Sequence, residues 1–437
     1  MSCTGVKEES SNVICRERVS PWPAVPLTDA LKSLQKVREI FPIETECLSL
    51  TELIHGVVLA EDIWASENIP RTRTSIKDGY AVLSLDEDGD RKVVGVSTAG
   101  KPYTREVKSG ECVRVSTGGV IPPDCDAVVQ VEDTVLLKHD GVEELAIKFT
   151  TIPKHGQDIR AIGADVKKGT MLMNSGTELG SAEIGLLAAI GVQCVEVFSK
   201  PRICVISTGN ELVESYVTKV PDGFIRDSNR PQLLSLFTSL GFQAVDAGVA
   251  ADEPKTIESK IKEAARYAEV IVTSGGVSMG EKDHLKDVLI KNLKFEVLFG
   301  RVWMKPGMPC TVAHGSIEGK NVIVFALPGN PVSSWVCAHI FVLPFVRYFA
   351  GYSKPDLTKI KVALGHNVKL DKRPEYCRAA LTFASGMPTA FVLGSQLSSR
   401  IPSMIQAKVL LELPGATDEQ SCLPEGFTVN ALVISKF

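Results

Sequence analysis

The chain has 437 residues, with 48 Lys and Arg against 52 Asp and Glu, a net charge of −4, 44% hydrophobic residues and 23% charged residues. At about 100–200 residues per domain this length excludes one small domain and predicts two to four. The balanced charge, the interspersed Lys and Arg and the 6% aromatic content argue against a nucleic-acid groove and predict an ordinary soluble globular protein.

The first 20 residues lack an apolar core, which predicts no signal peptide, and residues 1–26 are read as a mobile tail. Leu31, Leu34, Val37 and Ile40 repeat at helical spacing within Leu27–Phe41, and a Ser/Thr start predicts a second helix over Ser49–Val58. From Arg71 to Ile152 the pattern turns to short β-rich runs: Lys92–Val96, Cys112–Ser116, Ala127–Val131, Val135–Leu137 and Leu145–Phe149. A helix is expected again at Ser181–Ile190. The reading is a discontinuous helical frame, residues 27–70 and 153–198, with a β domain, 71–152, inserted into it.

Residues 199–352 alternate strand and helix as a parallel α/β sheet does. Strands are expected at Arg202–Ser207, Gln243–Val249, Val270–Thr273 and Val322–Ala326, and helices at Pro231–Leu240, Thr256–Ala268 and His284–Lys291. The apolar run Trp335–Val346, interrupted by His339 and Pro344, falls short of the about 18 residues of a membrane helix and predicts a buried one. Residues 353–437 return to β runs: Lys359–Leu364, Cys377–Phe383, Ala390–Leu393, Lys408–Leu413 and Thr428–Ile434. They predict a C-terminal barrel or sandwich. Eleven cysteines without a C-x-x-C pair or a metal-type Cys/His spacing read as free thiols of a reducing compartment, hence a cytoplasmic protein.

The candidate chemistry gathers where parallel strands end, the edge at which open α/β sheets bind ligands. Thr208-Gly209 follows the first strand and Ser274-Gly275-Gly276-Val277-Ser278 the third. Pro328-Gly329-Asn330-Pro331 follows the last, with Asn330 as a helix cap and Pro331 at the first helical position. Glycines and hydroxyls let backbone N–H groups approach an anion, although each run equally suits a rigid crossover turn. Acids stand nearby in sequence: Asp78, Asp165, Glu211, Asp252 and Asp283. Carboxylates beside phosphate loops suit a bridging Mg²⁺, while Asp252, two residues before Pro254, also fits a helix cap. Lys305, Arg373 and Ser398, with Ser333, have the chemistry to hold a tetrahedral oxyanion, but sequence spacing alone does not bring them together and by itself favours solvated Lys and Arg.

Eight motifs occur in unbroken order: Ser75–Ala81, Ser116–Gly119, Asp126–Asp133, Ser207–Leu212, Ile225–Arg230, Thr273–Asp283, Met304–Gly307 and Leu327–Ser333. On these the chain, from about Pro26 onward, closely resembles the molybdopterin molybdotransferase family, and in particular the E domain of gephyrin and its plant counterpart. The resemblance implies a multidomain α/β plus β fold with a molybdopterin-binding α/β domain and a C-terminal β-barrel, assembled as a homodimer. It implies a Mg²⁺-dependent reaction of adenylylated molybdopterin with molybdate that releases AMP, and an exchange with two partners: a separate adenylyltransferase that supplies substrate, and molybdoenzymes that receive the cofactor. Asp283 matches the acid most closely tied to activity, with Glu211, Asp252, Asp165 and Asp78 as companions; Asp283, Glu211 and Asp252 are the implied metal ligands. Thr208, Gly209, Ser274, Gly275, Gly276, Ser278, Pro328, Gly329, Asn330 and Pro331 match the pterin-binding loops, and Lys305, Ser333, Arg373 and Ser398 match molybdate positions. Met308 stands where some relatives have Lys, and Ile405 and Lys408 stand where Arg and Asn are usual. A gephyrin-like receptor-anchoring scaffold is the alternative; the five intact acids favour the enzyme.

Overall fold

The computed structural model describes residues 22–53, 56–87, 89–277, 284–384 and 386–435. The tail expected over residues 1–26 therefore lies mostly outside the described residues. Two compact units make up the chain: residues 48–53 with 61–195, and residues 1–47, 54–60 and 196–437.

The smaller unit is built on a six-stranded mixed sheet in the order Ala127–Gln130, Gly79–Val82, Glu111–Val115, Asp90–Ser97, Glu144–Phe149, Thr134–His139. Successive side chains point to opposite faces, so the sheet has two apolar layers. Tyr80, Val82, Cys112, Val129 and Ile147 fill one; Ala81, Val113, Val115 and Val128 fill the other. Strand Gly79–Val82, not expected from the sequence, is central because Gly79 allows it: a Cβ there would lie 2.1 Å from the Val129 carbonyl oxygen.

The helix expected over Ser49–Val58 does not form. Thr45–Ser49 and Val57–Val58 are strands. The Ser49 amide and hydroxyl donate to the Glu52 carboxylate at 2.9 and 2.6 Å. This closes a single turn, which Gly56 at φ +84° leads into the β-branched Val57-Val58 pair. The expected helices at Leu27–Phe41 and Ser181–Ile190 are present as Leu27–Val37 and Ser181–Ala189.

The larger unit contains a second six-stranded sheet. Ala244–Ala250, Ile203–Thr208, Val270–Ser274 and Lys320–Leu327 are parallel; Thr311–Ile317 and Glu296–Phe299 continue it antiparallel and were not expected. Both faces are covered, as the continuous apolar composition of parallel strands requires. Val205, Val272, Phe325 and Leu327 join one core with helix Leu27–Val37, while Ile206, Ile271 and Val324 join another with helix Pro254–Ala265. The C-terminal residues close a five-stranded barrel in the order Lys359–Leu364, Thr389–Val392, Glu375–Thr382, Val409–Leu413, Thr428–Val433.

One helix runs Pro331–Phe349, 19 residues, and so has the length and apolar composition to span a membrane, unlike the shorter run expected. It is 83% buried within the protein and serves as a core helix. Phe345 in it packs edge-on against Phe41 and Phe325 at 5.9 and 5.4 Å. His339 is also fully enclosed, with Nδ1 2.8 Å from the Trp335 carbonyl oxygen.

Burial pushes the His339 imidazole down to about 4, so it is neutral in the fold, whereas the unfolded chain protonates it near 6.5. Between those values the unfolded state binds more protons, so this contribution to stability is complete above about pH 6.5 and shrinks as the pH falls towards 4. At most about 3 kcal/mol is lost across that window. Urea unfolding followed by tryptophan fluorescence should show this slope in the wild type and a flatter one in His339→Gln.

Candidate functional site

Strands Ile203–Thr208, Val270–Ser274 and Lys320–Leu327 are in register, Ser207 opposite Ser274 and Ser274 opposite Leu327, so their carboxyl ends emerge level. The chain leaving them is packed backbone on backbone. Gly275 N–H donates to the Leu327 carbonyl at 3.0 Å. A Cβ on Gly275 would lie 2.4 Å from the Thr208 carbonyl oxygen, and one on Gly276 would lie 2.9 Å from Thr208 Oγ1. Both glycines have positive φ, +99° and +67°. Asn229, the first residue of helix Asn229–Ser239, ties the exits together: its Nδ2 donates to Ser274 Oγ and to the Gly329 carbonyl, both at 2.7 Å. Thr208, Ser274 and Asn229 are buried, so this part of the cradle is fixed before any ligand arrives.

Six of the expected pterin-loop residues, Thr208, Gly209, Ser274, Gly275, Gly276 and Gly329, thus share one edge, and Pro328 accepts from Ser274 Oγ at 3.5 Å. Asn330 occupies the cap position and Pro331 the first helical position, but the Asn330 side chain makes no capping bond. The next helix amide is not open to an anion either: Val332 N–H donates to the Ser398 carbonyl at 3.1 Å. Ser278 and Asp283 lie outside the described residues.

Glu211 and Asp252 flank the ends of neighbouring strands. Glu211 folds back over Gly209, where a Cβ would meet its carboxylate at 2.7 Å. Asp252 is not the cap of helix Pro254–Ala265; Glu253 holds that position. The Asp252 carboxylate instead accepts the Asn210 N–H at 3.1 Å, and Asn210 Oδ1 accepts the Asp252 N–H at the same distance. Among the described residues no three His, Cys, Asp or Glu side chains form a metal cluster. Glu211 and Asp252 are the carboxylates here that could each supply an oxygen ligand to a hard cation such as Mg²⁺. Asp78 and Asp165 belong to the smaller unit. There Asp78 accepts the Thr117 N–H at 2.7 Å, and Asp165 forms a two-point ion pair with Arg160.

The four expected oxyanion residues all lie in the larger unit and are linked. Lys305 Nζ stands 3.1 Å from Glu375 and 3.4 Å from Asp371. Asp371 also accepts Arg373 Nε and Nη2 at 2.9 and 3.2 Å. Lys305 is fastened along its backbone as well, through its N–H to the Pro374 carbonyl and its carbonyl to Tyr376 N–H. Two residues on, Gly307 at φ +103° passes so close to the helix that a Cβ would lie 2.4 Å from Cys337 Sγ and 3.9 Å from the Ser333 carbonyl oxygen. Ser333 in turn follows Val332, the residue bound to Ser398. Hydrogen bonding from Arg373 holds Asp371 well below the usual carboxylate range. Burial pulls the Lys305 ammonium down, but Glu375 and Asp371 outweigh it and raise its pKa.

Sequence reasoning missed Asn229, Asp371 and Glu375. Asn229 sits inside the quoted Ile225–Arg230 run, and Asp371 and Glu375 each lie two residues from Arg373. Their partners, however, are 45 to 100 and about 70 residues away, beyond any local pattern.

Three family models cover the chain: the MoeA N-terminal region, domains I and II, over residues 25–191; a probable molybdopterin binding domain over 204–348; and the MoeA C-terminal region, domain IV, over 361–434. The molybdenum cofactor synthesis protein cinnamon of Drosophila melanogaster is 35% identical over 96% of this chain. A molybdopterin molybdenumtransferase of Haemophilus influenzae is 38% identical over 71% of this chain and 74% of its own length. The chain spans about two thirds of the length of the eukaryotic relatives it matches, 67% of the Drosophila protein and 63% of one from Dictyostelium discoideum. The crystal structure of a molybdopterin biosynthesis MoeA protein from Pyrococcus horikoshii superposes with a TM-score of 0.79 at 29% identity, covering 95% of this chain and all of the other.

Gly275→Ala should destabilise the larger unit by about 1–3 kcal/mol or more, because positive φ and a backbone clash act together. A lowered denaturation midpoint checks this; an unchanged midpoint would mean that the strand exits are looser than described.

Proposed function

The chain belongs to the molybdopterin molybdenumtransferase family, transferases of molybdenum cofactor synthesis, and we propose that it inserts molybdate into adenylylated molybdopterin with hydrolysis of the adenylate and release of AMP. The observation that supports this reading is that Lys305 and Arg373, joined through Asp371, lie in the same unit as the strand-exit cradle, whose helix bears Ser333 and is bonded at Val332 to Ser398. A phosphate-bearing pterin and a tetrahedral dianion need two such different surfaces. The cradle offers close-packed glycine backbone and small hydroxyls at the carboxyl edge of the sheet; the other offers an ammonium and a planar guanidinium held by fixed carboxylates. Holding both substrates in one geometry would supply much of the rate, since proximity replaces a bimolecular encounter.

We assign Asp283, Glu211 and Asp252 to a Mg²⁺ site. When bound, the ion would offset the phosphate charge and polarise the phosphorus. The chain's own contribution is to present Glu211 and Asp252 at adjoining strand ends and to keep the pterin loops rigid through Asn229. A homodimer in the cytoplasm, supplied by a separate adenylyltransferase, completes the proposal. Light scattering should give roughly 94 kDa, twice the 47.2 kDa chain.

The direct test is incubation with adenylylated molybdopterin, molybdate and Mg²⁺ while AMP is measured. Release that does not depend on molybdate would overturn the reading. Lys305 and Arg373 are balanced by Asp371 and Glu375, so Arg373→Ala leaves this quartet at −1 and should repel the dianion. It should raise the half-maximal molybdate concentration at least about tenfold, equivalent to about 1.4 kcal/mol, with little change in pterin affinity. Asp283→Asn should remove most AMP release while the far-ultraviolet circular dichroism stays that of the wild type.

A further inference from the structure

Arg378 is a cation that the reaction as described leaves without a task. It lies on strand Glu375–Thr382 and has 0% of its surface exposed. Among the described residues no carboxylate comes within ion-pair distance of its guanidinium, and its Nη1 is buried without a hydrogen-bond partner.

The rest of the residue grips a single loop. Nε and Nη2 donate to Ser403 Oγ at 3.2 and 3.0 Å, and Nη2 also reaches the carbonyls of Ser395 and Leu397 at 3.4 and 3.3 Å. Ser403 Oγ passes its own hydrogen to the Arg400 carbonyl at 2.6 Å. The Arg378 backbone is held by the same loop, because Gln396 accepts its N–H at 2.9 Å and donates to its carbonyl at 3.1 Å. All these partners fall between residues 395 and 403. Ser398 sits among them, with its carbonyl on the helix amide of Val332.

A buried charge without a counter-ion is costly, and neutral side chains can hold a loop, so the charge itself calls for a role. The quartet of Lys305, Arg373, Asp371 and Glu375 sums to zero, and the Arg378 guanidinium, on the same strand as Glu375 and in electrostatic interaction with it, adds a positive charge that no ion pair offsets. We propose that Arg378 is the positioning residue of the molybdate site, fixing the loop that carries Ser398 and leaving the region with the net positive charge a dianion requires. This rests on the function proposed above.

The test uses the full chain with adenylylated molybdopterin, molybdate and Mg²⁺. Arg378→Gln should raise the half-maximal molybdate concentration about tenfold, with AMP release at saturating molybdate within about twofold of wild type; Arg378→Lys, which restores the charge, should recover at least half of that change on a logarithmic scale. Ser403→Ala, which keeps the charge and removes one group that holds Arg378, should raise it about threefold and speed amide hydrogen exchange over residues 397–403. A folded Arg378→Gln with wild-type molybdate dependence, or one that loses turnover with no shift in that dependence, would overturn the proposal. If Arg378→Gln does not fold, Ser403→Ala decides: unchanged molybdate dependence and unchanged exchange would overturn it. Molybdate-independent AMP release by the wild type would refute the proposed function instead, and the exchange rates would still show whether Arg378 and Ser403 order the loop.

Discussion

The site depends on how closely three parallel strands let their continuations approach one another. Gly275 sits against the Thr208 carbonyl with no room for a Cβ, and its own N–H is bonded to Leu327. Beside that packing, the Ser274 and Gly329 segments lie within reach of one amide, Asn229. A side chain at position 275 would push the Thr208 and Ser274 exits apart, and so disturb one end of the Ser274–Gly329 span that Asn229 bridges. Buried polar groups left half-bonded cost about 1–3 kcal/mol each, so the arrangement is stable only as a whole. Rigidity here follows from geometry that backbone atoms impose on each other.

A different solution operates around Lys305. Two cations close together repel and, on flexible stems, do not stay aimed; Asp371 and Glu375 remove the repulsion and fix both directions. Asp371 is the hinge of the set, since it meets both cations and is held far below its usual pKa by Arg373 first of all. Fixed orientation comes with a lower net charge. The cradle and the quartet are thus held in different ways: one by backbone atoms packed on one another, the other by balanced side-chain charge.

Much of this architecture is legible in the sequence because its physics is local. The parallel strands are covered on both faces and therefore read as short apolar β-branched runs, and Ile257, Ile261 and Ala264 repeat along one side of a helix that the structure buries. The barrel strands fall within one or two residues of their expected bounds. What was missed obeys other rules. Thr311–Ile317 carries His314, Gly315 and Ser316 at a half-covered end, which breaks the apolar run. Gly79–Val82 is four residues long and begins with a glycine whose purpose, clearance for the Val129 carbonyl, exists only once the strands have paired. Ser49 and Glu52 have the residue types of a helix start, yet the turn they close leads to Gly56 and two valines, and strand pairing prevails over the cap.

The site was legible to a different depth. Residue types chosen for their chemistry, Lys305, Arg373, Ser333 and Ser398, do lie in one unit, and Lys305 and Arg373 share Asp371, whereas the groups that decide how they act could not be chosen that way. Asp371 and Glu375 have no distinguishing signal in sequence beyond nearness to Arg373. Their importance lies in pairing with a lysine about 70 residues earlier, and such pairings form only after the α/β sheet and the barrel have each folded. The acids give the reverse lesson. Asp165 and Asp78 stand out in sequence as candidate catalysts, but each is already engaged locally, with Arg160 and with Thr117. A carboxylate so engaged is already oriented, and some of the lone pairs that a proton acceptor must keep free are occupied before any substrate arrives.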